Sequence, residues 1–429
     1  PLSKFEVILE GDPNSRKFRP TLYDFLAFRA IGFFTGESRF PQSTSFGKAA
    51  ANPGLFAPVD DFIRKDFSGD DPASFESRAL TIYRDLLAFH RTELPDTTAL
   101  VDADLARLAF AYRISALPDK TELYHKALRF LADRYRNKPV SAEINYVLAQ
   151  QLKTEGDLFV PGKTDKYKWN LKEALELAEK TAARFPDTDG AKNCLSLAAD
   201  IRQPHLTLTG NQAVIPGLPS LALVEYKNTE TFYARIVKIT RTPGSEESRK
   251  DWKELIKEYL RLKPVAEWKV KLPADGDFQT HSAEIRIPSL PAGQYVLLAT
   301  AIPGFRDSEQ VTWMQFQCTG LSLISALNAE QTEFMVLDRK EGQPIGGVKV
   351  RKYYSQYDYS KRREVTYPGE MGVTDKYGMV KFDNTGNSRQ GSCYLVLQKD
   401  KDQFFSQNFY LWEREKVEDK PDVTTWFFT

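Results

Sequence analysis

The feature that most constrains this chain is a change of period at Pro204. Before it, apolar residues recur three and four apart, as on one face of a helix; after it they alternate, as on a strand buried on one side. Pro20-Thr21 opens a segment carrying Leu22, Phe25, Leu26, Phe28, Ile31 and Phe33 down to Gly36. A Gly/Pro/Ser-rich passage over 36–58 interrupts the pattern, which resumes with Leu80, Tyr83, Leu86 and Leu87, then with Val101, Leu105, Leu108, Ala109 and Tyr112. Further helices are predicted over 121–136, 140–154, 170–185 and 189–202. Pro95, Pro118, Pro139 and Pro186 stand between them, where a helix cannot continue. Leu171, Ala174, Leu175, Ala178, Ala182 and Phe185 form the cleanest stripe. Successive helices with short breaks predict stacked antiparallel pairs, an α-solenoid-like domain over 1–204, although no strict 34-residue period is present.

Beyond Pro204 the alternation predicts strands at 205–209, 221–226 and 232–239. Trp268, Val270 and Leu272 face one way with Lys269 and Lys271 opposed, and Ala283, Ile285 and Ile287 alternate with Glu284 and Arg286. Strands at 295–299 and 311–317 bring this stretch to sandwich size. Its one helix, 247–262, places Trp252, Leu255, Ile256, Tyr259 and Leu260 on a single face, which must cover a sheet or a neighbouring domain. A second sandwich is expected from about 320 to 423. There Phe334–Asp338 is a short apolar run, Gly342 and Pro344 punctuate a turn, and Val348-Lys349-Val350-Arg351 alternates. Thr374-Asp375-Lys376-Tyr377-Gly378 is a turn signal, since Asp bonds its own backbone and Gly adopts positive φ. It feeds Val380-Lys381-Phe382, and strands at 321–325, 394–398 and 404–412 complete the set. The fold class expected is therefore multidomain α + β, with a helical domain (1–204) ahead of two antiparallel β-sandwiches (205–319 and 320–423). The aromatic stretch 424–429 reads as the start of a further domain, because three such side chains are costly to leave in water.

Composition narrows the function. Apolar residues make up 41% and charged residues 27%, ordinary values for chains that bury a core. The formal charge of +1 provides no single-sign field to recruit nucleic acid or an anionic membrane. No run of 18 apolar residues is present to span a bilayer. Cys194, Cys318 and Cys393 are too far apart for a zinc motif and too few for a disulfide framework; they read as small buried hydrophobes. His90, His125, His205 and His281 are scattered, and His90 and His125 fall on predicted helices, where partly exposed structural roles are expected. Nucleophile-elbow, phosphate-loop and dinucleotide motifs are missing. The adjacent carboxylates Asp60-Asp61 and Asp70-Asp71 point apart in any regular element. No catalytic residue, cofactor or metal is expected.

One passage offers a binding surface. Residues 353–363 place Tyr353, Tyr354, Tyr357 and Tyr359 beside Lys361, Arg362 and Arg363. An aromatic platform for glycan or peptide is one reading, since Tyr supplies contact area at low entropic cost. The plainer one is a long twisted hairpin whose tyrosines pack on their own sheet.

These elements resemble part of a bacterial α2-macroglobulin of the Bacteroidetes kind. The likeness is carried by Phe334–Asp338, by Gly342-Gln-Pro-Ile-Gly-Gly-Val-Lys-Val, by Thr374-Asp-Lys-Tyr-Gly and by Leu290-Pro-Ala-Gly-Gln-Tyr-Val-Leu. Arg19-Pro-Thr-Leu-Tyr-Asp-Phe-Leu-Ala-Phe-Arg-Ala is similar to a helical segment near the start of such proteins, and Thr424-Thr-Trp-Phe-Phe-Thr resembles the approach to their next domain. The resemblance implies a scaffold fragment of a protease trap in the periplasm or cell envelope. Its partners would be proteases and further macroglobulin domains, and any membrane attachment would lie elsewhere. The family's thioester requires a Cys-x-Glu-Gln setting, whereas Asn328 holds the cysteine's place in Asn328-Ala-Glu-Gln and no cysteine here has that sequence after it. The family comparison therefore carries over no functional residue. The rival reading is a surface protein that binds glycan or peptide through the helical array and the tyrosines.

Overall fold

A computed structural model describes residues 15–35, 48–67, 74–93, 97–240, 251–305, 310–327, 331–360, 362–383 and 392–410. Two compact units emerge: residues 1–203 with 275–279, and residues 204–274 with 280–429.

The first unit is helical: α1 (Ser15–Phe18), α2 (Leu22–Thr35), α3 (Val59–Phe62), α4 (Phe75–Thr92), α5 (Thr97–Ile114), α6 (Lys120–Tyr135), α7 (Ser141–Gly156), α8 (Asn170–Arg184) and α9 (Asp189–Arg202). Helix α1 packs on α5, α2 on α4, α4 on α5, α6 on α7, α7 on α8 and α8 on α9, so the stripes of the long helices α4–α9 are buried mainly between sequence neighbours. Leu80, Leu86, Leu87, Leu108, Leu128 and Ile144 are among its fully enclosed side chains.

Polar pairs fix the helix register. Thr21 and Asp24 form a capping box: Asp24 N–H donates to Thr21 Oγ at 3.1 Å, and Thr21 N–H donates to Asp24 Oδ2 at 2.9 Å. His90 Nε2 reaches Asp24 Oδ1 from α4 at 2.5 Å, with both side chains buried. His90 is thus a core residue, not the partly exposed one expected. Burial raises the Asp24 carboxyl, but hydrogen bonds from His90 and Thr21 outweigh it and hold the group below the usual range. Buried Glu155 on α7 ties three helices, accepting from His125 (2.8 Å), Gln151 (2.8 Å) and Asn170 (3.1 Å). At the start of α9, Gly190 leaves no room for a side chain: a Cβ there would lie 2.5 Å from the α7 backbone at Ala142 and Glu143.

The second unit holds two pairs of sheets. In the first pair, β1 (His205–Gly210), β3 (Ser220–Lys227) and β6 (His281–Ile287) make an antiparallel sheet in the order β1-β3-β6. Facing it, in the order β2-β8-β7-β4-β5, are β2 (Ala213–Val214), β4 (Thr231–Ile239), β5 (Pro264–Lys271), β7 (Gly293–Thr300) and β8 (Thr312–Cys318). Only the β2–β8 pairing is parallel among these. Ala222, Val224 and Tyr226 meet Phe232, Ile236, Leu297 and Phe316 in the core. Helix α10 (Trp252–Arg261) lays Leu255, Ile256 and Tyr259 over Val237, Val296 and Leu298 on the outer face of the larger sheet, while Trp252 stays 46% exposed. The expected helix start at 247 lies outside the described residues.

In the second pair, β9 (Leu321–Leu327), β10 (Gln331–Asp338) and β13 (Met379–Asp383) form the order β13-β10-β9. The opposing sheet contains β11 (Lys349–Asp358), β12 (Arg363–Val373), β14 (Ser392–Lys399) and β15 (Asp402–Phe405) in the order β12-β11-β14-β15, and β16 (Phe409–Tyr410) also pairs with β14. Phe334, Val336, Val380 and Phe382 pack against Val350, Leu395 and Leu397. Asp375 Oδ1 accepts from Tyr377 N–H (2.8 Å) and Met379 N–H (2.9 Å), and Gly378 takes φ +73° beneath the Val336 carbonyl, the turn chemistry read from Thr374–Gly378.

Candidate functional site

The four candidate tyrosines lie along one hairpin, β11–β12, but not in one place. Successive strand residues face opposite sides. Tyr353 therefore stacks on Tyr394 across the outer face, with ring centroids 5.4 Å apart and planes at 13°, while Tyr354 turns inward and is buried. Tyr357 and Tyr359 are near the tip, edge to face at 5.1 Å, exposed by 48% and 86%. The structure brings together two pairs, Tyr353 with Tyr394 and Tyr357 with Tyr359. Lys361 lies outside the described residues.

Lys352 went unnoticed in the sequence. It is 1% exposed on the inward face of β11, beside a bulge between Arg351 and Tyr353. Its Nζ meets Glu370 Oε2 at 3.1 Å and sits 5.1 Å from the Phe382 ring centroid and 5.3 Å from that of Tyr354. Its charged head is paired while its stem is part of a core.

The residues that join the two sandwiches form a dense polar arrangement. Only Thr319 and Gly320 separate β8 from β9. Gln317, buried on β8, treats Phe405 of β15 as a strand partner: its Nε2 donates to Phe405 C=O at 2.7 Å, and its Oε1 accepts from Phe405 N–H at 2.9 Å. Gln294, opposite Gln317 on β7, donates to Gln317 Oε1 at 3.1 Å and to Gln403 C=O at 3.4 Å. Gln407 donates to Gln212 Oε1 at 2.9 Å, and Asp402 Oδ2 accepts from Gly320 N–H at 2.8 Å. Arg339 completes the joint, binding the Thr319 carbonyl at 3.1 Å and that of Leu321 at 2.6 Å; burial lowers its basicity. A cavity of about 380 Å³ lined by Gln212, Gln294, Gln315, Ser406 and Asn408 opens beside the seam. Sequence reading passes over these glutamines because an amide has no distinctive partner until the fold supplies one.

All three cysteines are buried and unpaired, and burial pushes their thiols up, to about 11 for Cys194 and Cys318 and about 12 for Cys393. A protonated enclosed thiol is a poor nucleophile. The sequence Asn328-Ala-Glu and the closing stretch 424–429 lie outside the described residues.

No family model matches the sequence, and no curated protein does. Among solved structures, the chain is similar to a fragment of Escherichia coli alpha-2-macroglobulin spanning domains MG0-NIE-MG1, at 12% identity and a TM-score of 0.34; 47% of this chain and 63% of that one are covered. A shorter fragment spanning NIE-MG1 gives 14% identity and 0.32, covering 47% and 96%. A Salmonella alpha-2-macroglobulin mutant gives 12% and 0.30, covering 47% and 12%. Scores and identities this low do not place the chain in a family.

Proposed function

We propose that this chain is a scaffold portion of a macroglobulin-like, broad-spectrum protease trap of the bacterial envelope. The observation that carries the reading is the tandem of sandwiches joined by two residues and bridged by Gln317 and Phe405. A joint that satisfies buried backbone groups across two sandwiches makes them move as one block, as a protein that rearranges around a cleaved segment requires. The motifs at 290–297, 334–350 and 374–378 point the same way. In this reading the chain performs no catalysis; its partners are proteases, met through the longer protein, and neighbouring macroglobulin domains. Among the described residues no helix is long and apolar enough to cross a membrane. The test is to express the whole reading frame, cleave it with a panel of proteases and measure hydrodynamic radius. Compaction after one cut with protease retained is the expected result; cleavage with neither overturns the proposal.

A second reading rests on the hairpin tip, where Tyr357 and Tyr359 are exposed and in contact. It makes the chain a surface protein that holds glycan or peptide. Chemical shift changes confined to residues 355–360 on adding oligosaccharides or peptides would support it.

A further inference from the structure

A cavity of about 230 Å³ lies in the helical unit between the 53–59 segment, α5 and α6. Buried Arg107 builds it. Its guanidinium donates to the carbonyls of Leu55 and Ala57, is paired with Asp104 one turn earlier, and sits over the Phe62 ring at 4.5 Å. The short 3₁₀ turn Pro53–Phe56 and the residues leading into α3 are thereby fixed through their backbone where they pack over α5 and α6. The interior is apolar, from Phe56, Val59, Leu100, Leu123 and Leu131. Its mouth is cationic. Lys126, Phe130 and Arg134 follow one another at four-residue spacing along the exposed side of α6, and Arg91 joins them from α4. Asp60 is bound by both Arg91 (2.8 Å) and Arg134 (3.1 Å), and Asp104 by Arg107, so four cations face two carboxylates.

We infer that this cavity binds a small amphipathic carboxylate, its apolar body inside and its charge among Lys126, Arg134 and Arg91. The volume sets the size. An apolar cavity of about 150 Å³ takes benzene, so this one holds a phenyl ring or short acyl chain with a brief tether. It is smaller than the cavities that enclose drug-sized ligands. A free acid and the C-terminal residue of an apolar peptide present the same chemistry. The site is independent of the trap proposal.

The test uses 3-phenylpropanoate, its amide, and the peptide Gly-Gly-Gly-Phe with a free or amidated terminus, each titrated into the protein and followed by NMR. The carboxylates bind with Kd of about 0.1–1 mM. The amides bind about fivefold more weakly, and about 0.5 M salt reduces the difference. Lys126 is exposed, so Lys126→Glu leaves thermal stability unchanged, weakens the acids about fivefold and spares the amides. Tighter binding of the free acid assigns a metabolite-sized ligand, and tighter binding of the peptide assigns a chain terminus; both support the site. No binding at about 10 mM, or equal binding of acid and amide that Lys126→Glu does not alter, overturns it.

Discussion

Replacing Gln317 by alanine removes two hydrogen bonds to the Phe405 backbone at once. The lost bonds are the 2.7 Å contact to its carbonyl and the 2.9 Å contact from its N–H. Each orphaned buried backbone group costs about 1–3 kcal/mol. Gln294 keeps Gln403 as an acceptor, so it contributes little to the loss. Water from the adjoining cavity of about 380 Å³ can reach the freed groups and brings the total to the lower half of the range, about 2–4 kcal/mol. The assay is native-state hydrogen exchange at the Phe405 amide, with the denaturant midpoint measured in parallel. Since about 1.4 kcal/mol is tenfold, protection should fall about 100-fold. Gln317→Glu sharpens the test. A carboxylate still accepts from Phe405 N–H but sets a negative charge against its carbonyl, so the variant should be as damaging as alanine at neutral pH and recover once acid restores an O–H donor. Unchanged exchange at Phe405 in both variants would refute the joint as a structural element.

Four further outcomes follow from the packing. Asp24→Asn should destabilise the helical unit by about 2–4 kcal/mol at neutral pH. Because the folded carboxyl titrates below its ordinary value, its contribution is full above about pH 4 and lost as pH falls through the folded value, so wild type and variant should converge in acid melts. Lys352→Met should be neutral or stabilising, since the thioether fills the stem's place and half-exposed Glu370 turns to solvent; Glu370→Gln leaves the buried cation poorly matched and should cost about 1–3 kcal/mol by chemical denaturation. Gly190→Ala should cost about 3 kcal/mol or more and lower the thermal midpoint, because its Cβ would overlap the α7 backbone at 2.5 Å. A thiol reagent should label Cys194, Cys318 and Cys393 only after denaturant is added.

Local chemistry was legible in the sequence and long-range pairing was not. The switch at Pro204 and the turn at Asp375 announce themselves because period and turn propensity act over a few neighbouring residues. The stretch after Val350 forms the long hairpin that is the plainer of its two readings, as β11 and β12; strand alternation then splits its tyrosines between two faces and a tip. Lys352 stands two residues after Val350 and so turns inward by plain alternation, opposite a bulge carried by β12; its burial shows only once β11 continues past Arg351. The partners Gln317 and Phe405 are 88 residues apart, and Arg107 reaches Leu55 across 52. Nothing local marks either pair, because amides and guanidinium groups serve equally well at a surface. The cavity beside Arg107 depends on that second pairing and on a 3₁₀ turn, Pro53–Phe56, too short to show a period.

The claim that this chain belongs to a protease trap is tested most directly by what a captured protease can still do. The whole reading frame is incubated with an excess of trap over protease, and the protease is assayed on a large protein substrate and on a small chromogenic peptide. The account predicts that cleavage of the protein is largely lost while cleavage of the peptide persists, because a cage excludes by size and leaves the active site intact. Equal activity on both substrates, with free protease recovered by gel filtration, would contradict it.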